Sequence, residues 1–355
     1  MYSQISPNHY HSQDTFNIER TKVFRYTWIF VGFKSELTQP NDFLSTKIGG
    51  IPIVVQNFNG TLKAFSNICS HRFSLLQSES KGNRALVCPY HGWAYDKKGK
   101  PCGIPKKPLF KPFTQQELEE LKLREYKLDY CGDMIFINIG TPTCTLREYL
   151  GSFYDKLVSI SNTKSTLVDT NILDIACNWK IVVENTLESY HVGAVHAETF
   201  GKLGTSGLDF TFEGPHSKWT TPLHLLEDDP KLSRIHSNFV DRQHKVEGYE
   251  HYLVYPNLLI STTYGISFNF SVIEPTTCGT TKFTSYVYLA PSTPSRLVES
   301  YKETLKDFNR QVFHEDKVIC ELAQQGAEYT DKPGVLSLEE KRVHHFQNNY
   351  IKNIQ

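Results

Sequence analysis

The sequence carries no excess charge of either sign, since 38 lysine and arginine residues balance 38 aspartate and glutamate residues in 355 positions. A basic surface that binds nucleic acid is therefore not expected. There is also no run of about 18 apolar residues, the length that a membrane-spanning helix needs. The polar start, residues 1–16, lacks the apolar core of a secretory signal peptide. We therefore expect a cytoplasmic protein with neither a membrane nor a nucleic-acid partner.

Cysteine is too sparse and too scattered for a disulfide-stapled domain, because the chain has 8 cysteines spread over its whole length. In a reducing compartment, a cysteine that forms part of a patterned pair indicates a metal site instead. The glycine-rich fingerprint of a nicotinamide or flavin fold is absent as well. A redox enzyme with this sequence would have to receive its electrons from a separate reductase.

The pattern of apolar residues and turn signals changes twice along the sequence, and these changes divide the chain into three parts. Residues 43–145 consist of short β-branched runs with turn signals, such as Asn59-Gly60 between two apolar runs, which predict a small all-β module. Residues 146–355 combine helical segments at both ends with long alternating strands, which predict an α+β domain with an antiparallel sheet. Residues 1–42 are predicted to form an N-terminal helical segment that packs on this second domain.

Two short motifs in the all-β module each pair a cysteine with a histidine: NICSHRFS holds Cys69 and His71, and CPYHGW holds Cys88 and His91. Sixteen residues separate the pairs, and each pair adjoins a predicted hairpin, so two neighbouring loops can bring four ligands to one site. Two thiolates and two imidazoles suit tetrahedral zinc. They also suit a [2Fe–2S] cluster in which the cysteines hold one iron and the histidines the other. Pairs that mix the two ligand types favour the cluster.

The pattern C-x-H followed by C-x-x-H resembles that of the Rieske proteins, and both motifs match it residue for residue. The resemblance implies a Rieske [2Fe–2S] cluster held by Cys69, His71, Cys88 and His91.

A second group of candidate ligands lies in NWKIVVENTLESYHVGAVHAETF. We expect Asn178 to cap a helix that places Glu188 and His191, three residues apart, on one face. His191 and His196 are five residues apart, about 140° around an ideal helix. They can act together only if Gly193 ends or distorts the helix; otherwise they are a solvated pair.

A third ligand could come from the C-terminal helix, whose apolar arc contains two carboxylates, Glu315 and Asp316. A carboxylate on such a face is costly unless a cation or a metal compensates it. Periodicity alone leaves both residues as candidates.

The segment from Asn178 to His196 and the stretch EDKVICELAQQG resemble the catalytic domain of Rieske non-haem iron oxygenases. The resemblance implies a START-like, helix-grip domain in which His191, His196 and Asp316 hold Fe(II). It also implies a catalytic role for Glu188, as the link that receives an electron from His91 of a neighbouring subunit. Most ring-hydroxylating dioxygenases have aspartate at the position of Glu188, whereas glutamate recurs in carnitine and betaine oxygenases.

The resemblance implies the terminal oxygenase (α) component of a multicomponent system, expected as a homotrimer. A separate NAD(P)H-dependent reductase, with or without a ferredoxin, would supply electrons for mono- or dioxygenation of a small organic substrate with O₂. Aromatic hydrocarbon catabolism is one setting for this reaction. Oxidative N-demethylation or C–N cleavage of a quaternary amine like carnitine or betaine is an alternative. A non-enzymatic Rieske electron carrier and a zinc-stabilised ligand-binding protein are two further alternatives.

Overall fold

The computed structural model describes residues 1–203, 208–240 and 242–355. The chain forms two compact units: Phe24–Leu146, which we call the β unit, and Met1–Val23 together with Arg147–Gln355, which we call the α+β unit. The sequence predicts boundaries after residues 42 and 145. The structure therefore divides the predicted N-terminal segment, with 1–23 in the α+β unit and 24–42 in the β unit.

The β unit contains an antiparallel sheet of seven strands, counted over the described residues, in the order β1-β9-β8-β4-β3-β2-β5, and a separate β6-β7 hairpin. Asn59 and Gly60 both adopt positive φ angles, 51° and 89°, at the turn between β3 and β4. The hairpin predicted there is confirmed. The strands are β1 (Ile29–Phe33), β2 (Asp42–Ile48), β3 (Ile51–Phe58), β4 (Thr61–Ser66), β5 (Lys81–Asn83), β6 (Ala94–Tyr95), β7 (Pro101–Gly103), β8 (Glu125–Cys131) and β9 (Met134–Asn138).

The α+β unit is built on a second antiparallel sheet, whose seven strands among the described residues run in the order β10-β16-β15-β14-β13-β12-β11. The strands are β10 (Thr166–Ile175), β11 (Asp209–Glu213), β12 (His216–Pro222), β13 (Gly248–Val254), β14 (Leu258–Thr263), β15 (Ser267–Thr277) and β16 (Thr280–Leu289). The α-helices among the described residues are α1 (Gln13–Tyr26), α2 (Gln115–Glu120), α3 (Leu146–Leu150), α4 (Tyr154–Thr163), α5 (Trp179–Thr186), α6 (Val192–Val195), α7 (Leu225–Asp228), α8 (Pro230–His236), α9 (Arg296–Ala327) and α10 (Lys341–Ile354).

Helix α9 is the long C-terminal helix that the sequence predicts. Ser295 caps it by accepting a hydrogen bond from the backbone N–H of Val298. The helix packs on α5, α6 and β10, which places its polar residues beside the segment that follows α5. Helix α10, which follows it, was not predicted separately.

The segment that contains Glu188 and His191 differs from its prediction. Asn178 caps α5 as expected, by accepting from the backbone N–H of Lys180. The helix ends at Thr186, however, and Glu188 lies in the turn before the short helix α6 rather than on a helical face with His191. The Glu188 carboxylate accepts a hydrogen bond from the backbone N–H of His191 (3.1 Å), a side-chain contact that competes with helix continuation.

A buried polar contact ties α1 to α5 and α10 within the α+β unit. The Glu19 carboxylate is fully buried and accepts hydrogen bonds from Trp179 Nε1 (2.8 Å), Lys180 Nζ (2.6 Å) and the Tyr350 hydroxyl (2.6 Å). Three partners satisfy both carboxylate oxygens, so a charge buried at this depth is compensated. The N-terminal helix thereby fixes the helix that leads into the Glu188–His196 segment.

None of the helices in the described ranges combines the length and the hydropathy that a bilayer span requires.

Candidate metal centres and substrate cavity

The two cysteine–histidine motifs form loops with the same backbone hydrogen bonds. In the first loop the Cys69 carbonyl accepts from the N–H of Phe73 (3.0 Å), and in the second the Cys88 carbonyl accepts from the N–H of Gly92 (2.9 Å). The residue that closes each turn has a positive φ angle, 61° at Phe73 and 73° at Gly92. Glycine adopts this conformation without strain, which explains the glycine of the CPYHGW motif. Two matching turns thus present two cysteines and two histidines.

The four side chains separate into a buried cysteine pair and a histidine pair nearer the surface. Cys69 and Cys88 are 1% and 2% exposed, and their thiols contact each other. The imidazoles of His71 and His91 lie 4.6 Å apart between ring centroids, with His91 exposed. Two like pairs fit a cluster in which two cysteines hold one iron and two histidines hold the other.

Atoms around these side chains support a metal-binding role. Nδ1 of His71 is buried and has no hydrogen-bond partner among the described residues, an atom that a metal–ligand bond would satisfy. Its ring stacks on Trp93 at 5.0 Å between centroids, which fixes its orientation. Burial alone would raise the pKa of Cys88, but hydrogen bonds from the backbone at Tyr90 and His91 outweigh burial and lower it. These hydrogen bonds stabilise the Cys88 thiolate, the form that binds iron, whereas burial raises the pKa of Cys69 in the first loop.

In the α+β unit, His191, His196 and Asp316 converge on one point. One ligand atom from each residue lies within 4.8 Å of the other two. Nε2 of His196 is 3.0 Å from the Asp316 Oδ1 atom, and Nε2 of His191 is 3.6 Å from the same oxygen. This donor set is the two-histidine, one-carboxylate arrangement typical of non-haem Fe(II) oxygenases.

Each of the two imidazoles is bonded to a carboxylate on its other nitrogen. Nδ1 of His196 donates to Glu315 Oε2 (2.7 Å), and Nδ1 of His191 donates to Glu188 Oε1. Because a carboxylate can only accept, these bonds place the proton on Nδ1 of each neutral ring and leave the Nε2 lone pair facing Asp316. Two acceptors that face each other are satisfied by a cation between them, so the residues fit a metal ion.

The surrounding charges favour a cation at the same place. Burial alone would lower the pKa of His196, but the carboxylates of Asp316 and Glu315 on either side of the ring outweigh burial and raise it, so positive charge between these groups is favoured. Asn185 also donates to Asp316 Oδ1 (2.7 Å), which holds the carboxylate in position. Periodicity alone did not distinguish Glu315 from Asp316, and the structure gives them different contacts: Asp316 faces both Nε2 atoms, and Glu315 binds the opposite side of His196.

A cavity of about 150 Å³ opens beside these three residues, all of which line it. Its other walls come from the inner face of the second sheet and from α9, and they are largely apolar, with Phe268, Val287 and Phe308 as examples. No lysine or arginine is among the described residues that line it. A small organic molecule in this cavity would contact the His191–His196–Asp316 group directly.

A row of cross-strand neighbours, three of them polar, lines the cavity on the side of the sheet. Five residues on neighbouring strands are direct cross-strand partners and all line the cavity: Trp219, His251, Ser261, Asn269 and Val287. Sequence reasoning did not single out any of them, because their juxtaposition depends on the register of β12 to β16. The alternation of Tyr249 and His251 on β13 is the signal that places both side chains on one face.

Two cysteine–histidine pairs in one unit, and two histidines with one carboxylate beside a cavity in the other, are the donor sets expected of an oxygenase of the Rieske type. Residues 163–355 match the family described as ring hydroxylating alpha subunit (catalytic domain), and residues 27–117 match the Rieske [2Fe-2S] domain. The chain belongs to the family of ring-hydroxylating oxygenase alpha subunits. It is an oxidoreductase whose cofactors are a [2Fe–2S] cluster and a mononuclear iron.

Three curated relatives show how far the sequence similarity extends. The glycine betaine monooxygenase oxygenase subunit of Chromohalobacter salexigens is 32% identical over 55% of this chain, a match that spans 43% of that relative. The carnitine monooxygenase oxygenase subunit of Acinetobacter pittii is 26% identical over 89% of this chain and 83% of its own length. The chloroplastic choline monooxygenase of Arabidopsis thaliana is 28% identical over 93% of this chain and 78% of its own length.

Solved structures share the fold over nearly the whole chain. The quaternary ammonium Rieske monooxygenase CntA in complex with L-carnitine superposes with a TM-score of 0.80 at 20% identity and covers 100% of this chain and 96% of its own. Naphthalene 1,2-dioxygenase from Rhodococcus sp. superposes with a TM-score of 0.74 at 18% identity and covers 98% of this chain and 93% of its own. The α+β fold with a Rieske domain and an antiparallel catalytic sheet is confirmed.

Proposed function

We propose that this chain is the terminal oxygenase that oxygenates a small organic substrate bound in the cavity of the α+β unit. The single observation that carries this proposal is that His191, His196 and Asp316 converge within 4.8 Å and all three line that cavity. A substrate in the cavity is therefore adjacent to the group of ligands with which non-haem oxygenases bind iron.

The two groups of metal ligands have different tasks in this proposal. Cys69, His71, Cys88 and His91 would hold the cluster, and His191, His196 and Asp316 would hold the mononuclear iron. When bound, the cluster supplies single electrons and the mononuclear iron supplies the place where O₂ is reduced. Glu188 and Glu315 keep both imidazoles in the tautomer that offers Nε2. The apolar walls exclude water from the substrate.

The electrons come, in this proposal, from a separate NAD(P)H-dependent reductase, directly or through a ferredoxin. Within a homotrimer they would pass from the cluster of one chain to Glu188 of its neighbour. The exposed ring of His91 and the bond between Glu188 and His191 support this route, because each residue adjoins one centre. A cytoplasmic location, where such reductases are reduced by nicotinamide nucleotides, is part of the same proposal.

A quaternary amine is the substrate class that the cavity supports best. Phe200, Trp219 and Tyr249 form one aromatic corner. The ring centroid of Tyr249 lies 5.4 Å from that of Phe200 and 5.8 Å from that of Trp219. All three residues line the cavity, and such faces attract a quaternary ammonium group through cation–π interactions. Relatives named for betaine, carnitine and choline agree with this class. The reaction would be monooxygenation with demethylation or C–N cleavage.

An aromatic hydrocarbon is the second candidate, since naphthalene 1,2-dioxygenase shares the fold. The cavity wall at His251 is less suited to such a ligand, because its Nε2 atom makes no hydrogen bond with the described residues and a hydrocarbon would not provide one.

The test is product analysis under ¹⁸O₂ with purified protein, NADH and a surrogate reductase. The substrates are glycine betaine, L-carnitine, choline and naphthalene. We expect consumption of a quaternary amine with one labelled oxygen atom in the products, and no turnover by Asp316→Ala. Products from naphthalene alone would contradict the substrate class. A cluster that reoxidises without substrate-dependent O₂ uptake on any compound, equally in wild type and Asp316→Ala, would indicate an electron carrier instead.

A further inference from the structure

Behind the cavity wall lies a buried arginine that has no carboxylate partner among the described residues. The side chain of Arg342, on α10, is 1% exposed, yet no carboxylate of the described chain lies within ion-pair distance of its guanidinium. Its hydrogen bonds go to Ser217 Oγ (3.0 Å), the Ser217 carbonyl (3.4 Å) and Nδ1 of His251 (3.1 Å). An uncompensated charge at such a depth is costly. The charge of Arg342 lies next to His251, which lines the cavity.

The arginine determines the proton position on His251. Guanidinium nitrogens only donate, so Nδ1 of His251 must accept, and the proton of the neutral ring is on Nε2. Burial and the nearby Arg342 lower the pKa of His251 well below its usual value, which keeps the ring neutral. His251 lines the cavity, and its Nε2 makes no hydrogen bond with the part of the chain that the structure describes. The cavity wall therefore presents an unused N–H donor.

Another nitrogen donor of the row, the Asn269 amide, is occupied by contacts within the protein. The Asn269 amide, two strands away in the same row, donates to Asn309 Oδ1 (3.1 Å) and accepts from the hydroxyls of Ser271 (2.9 Å) and Ser285 (3.0 Å). Its hydrogen-bonding capacity is largely consumed within the protein. His251 differs because one ring nitrogen is satisfied by a cation and the other remains available to a ligand.

We propose that Nε2–H of His251 anchors an anionic oxygen of the substrate, a carboxylate, with Arg342 as the positioning residue that fixes the tautomer and adds positive charge behind it. This inference rests on the proposed function, since it names the second recognition element of the same cavity. In a largely apolar cavity the guanidinium charge is weakly screened, so a negatively charged ligand is favoured over a neutral one of the same shape. A substrate with both a quaternary ammonium and a carboxylate would use the aromatic corner and His251 together.

The experiment measures binding rather than turnover, on the holoprotein, by isothermal titration calorimetry. The probes are glycine betaine, γ-butyrobetaine, L-carnitine and 3-phenylpropanoate, each compared with its methyl ester. We expect wild type to prefer at least one acid over its ester by about 10- to 100-fold, the range for a hydrogen bond to a charged group. In His251→Phe the preference should fall to within about threefold. The surface variant His224→Phe is the matched control and should keep the wild-type ratio.

Further variants separate recognition from folding. His251→Gln retains an N–H donor near the Nε2 position and should keep most of the preference, even if His251→Phe folds poorly. Arg342→Gln can still donate a hydrogen bond to Nδ1 of His251 and should keep part of the preference for the acid. Arg342→Met cannot donate and should lose this preference, while its cluster absorption spectrum stays unchanged. Equal binding of acid and ester by wild type, or a full acid preference in folded His251→Phe, would overturn the proposal. Because binding is the readout, an acid preference without any O₂ uptake would contradict the proposed function and leave this inference standing.

Discussion

At each histidine of the mononuclear centre, a carboxylate on the Nδ1 side decides which ring nitrogen is offered to a metal. Glu315 does this for His196, and its own carboxylate is held by Thr199 Oγ1 (2.7 Å) and Gln311 Nε2 (3.0 Å). Burial alone would raise the pKa of Glu315, but hydrogen bonds from His196, Thr199 and Gln311 outweigh burial and lower it. The acceptor therefore stays ionised beside the histidine that it orients.

Glu315→Ala should weaken Fe(II) binding by about 10- to 100-fold, the usual effect of losing a group that orients a metal-bound histidine. Iron content after dialysis against graded chelator concentrations measures the change. Gln311→Ala is the control, since it removes a contact on the opposite side of the same carboxylate and should have a much smaller effect. An unchanged iron affinity in Glu315→Ala would contradict the orienting role.

Glu188→Ala forms a matched pair with Glu315→Ala, because each variant removes one Nδ1 partner. If Glu188 also transmits electrons from a neighbouring cluster, only Glu188→Ala should slow the oxidation of the reduced cluster in iron-replete protein with O₂ and substrate. Stopped-flow absorption of the cluster measures that rate. Equal rates in the two variants would restrict Glu188 to orienting His191.

Among the secondary-structure elements, α1 has the clearest influence on the site, because the buried carboxylate of Glu19 ties it to α5 and α10. Removing one partner of a buried ion pair typically costs about 3–5 kcal/mol. Glu19→Ala should therefore lower the thermal midpoint of the α+β unit by at least about 6 °C. Circular dichroism melts can measure this shift. Asp14→Ala, an exposed carboxylate of the same helix, should change it by no more than about 2 °C. Equal shifts would contradict the anchoring role.

The elements also show where sequence reasoning reaches its limit. The hairpin at Asn59-Gly60 and helix α9 could be predicted, because turn chemistry and helical periodicity are local properties. The end of α5 at Thr186 could not be predicted in this way, since it accompanies a side-chain contact between Glu188 and the backbone of His191. The cross-strand row that contains His251 could not be predicted from the sequence either, because it depends on the register between separate strands.

The candidate site was predicted more completely than the cavity around it. The spacing of Cys69, His71, Cys88 and His91 is local, and the matching loops bring the four side chains together. Periodicity alone could not choose between Glu315 and Asp316, whereas the resemblance implied Asp316, and the structure places Asp316 beside both Nε2 atoms. Arg342 could not be recognised at all, because its role depends on contacts with residues about 90 or more positions away.

Across the whole molecule, the two centres lie in separate compact units, so each set of ligands should be removable without loss of the other. Cys88 lies in the β unit and Asp316 in the α+β unit. We expect Cys88→Ser to lose the cluster and keep the mononuclear iron, and Asp316→Ala to do the reverse.

Electron paramagnetic resonance of the dithionite-reduced, nitric oxide-treated protein shows whether the chain binds both a Rieske cluster and a mononuclear iron, because one spectrum reports on both centres. We expect a reduced Rieske cluster signal together with an Fe(II)–nitrosyl signal in the wild type. Asp316→Ala should keep the first signal and lose the second. A wild-type spectrum without the cluster signal, or an Fe(II)–nitrosyl signal that persists in Asp316→Ala, would contradict the assignment of these two iron centres.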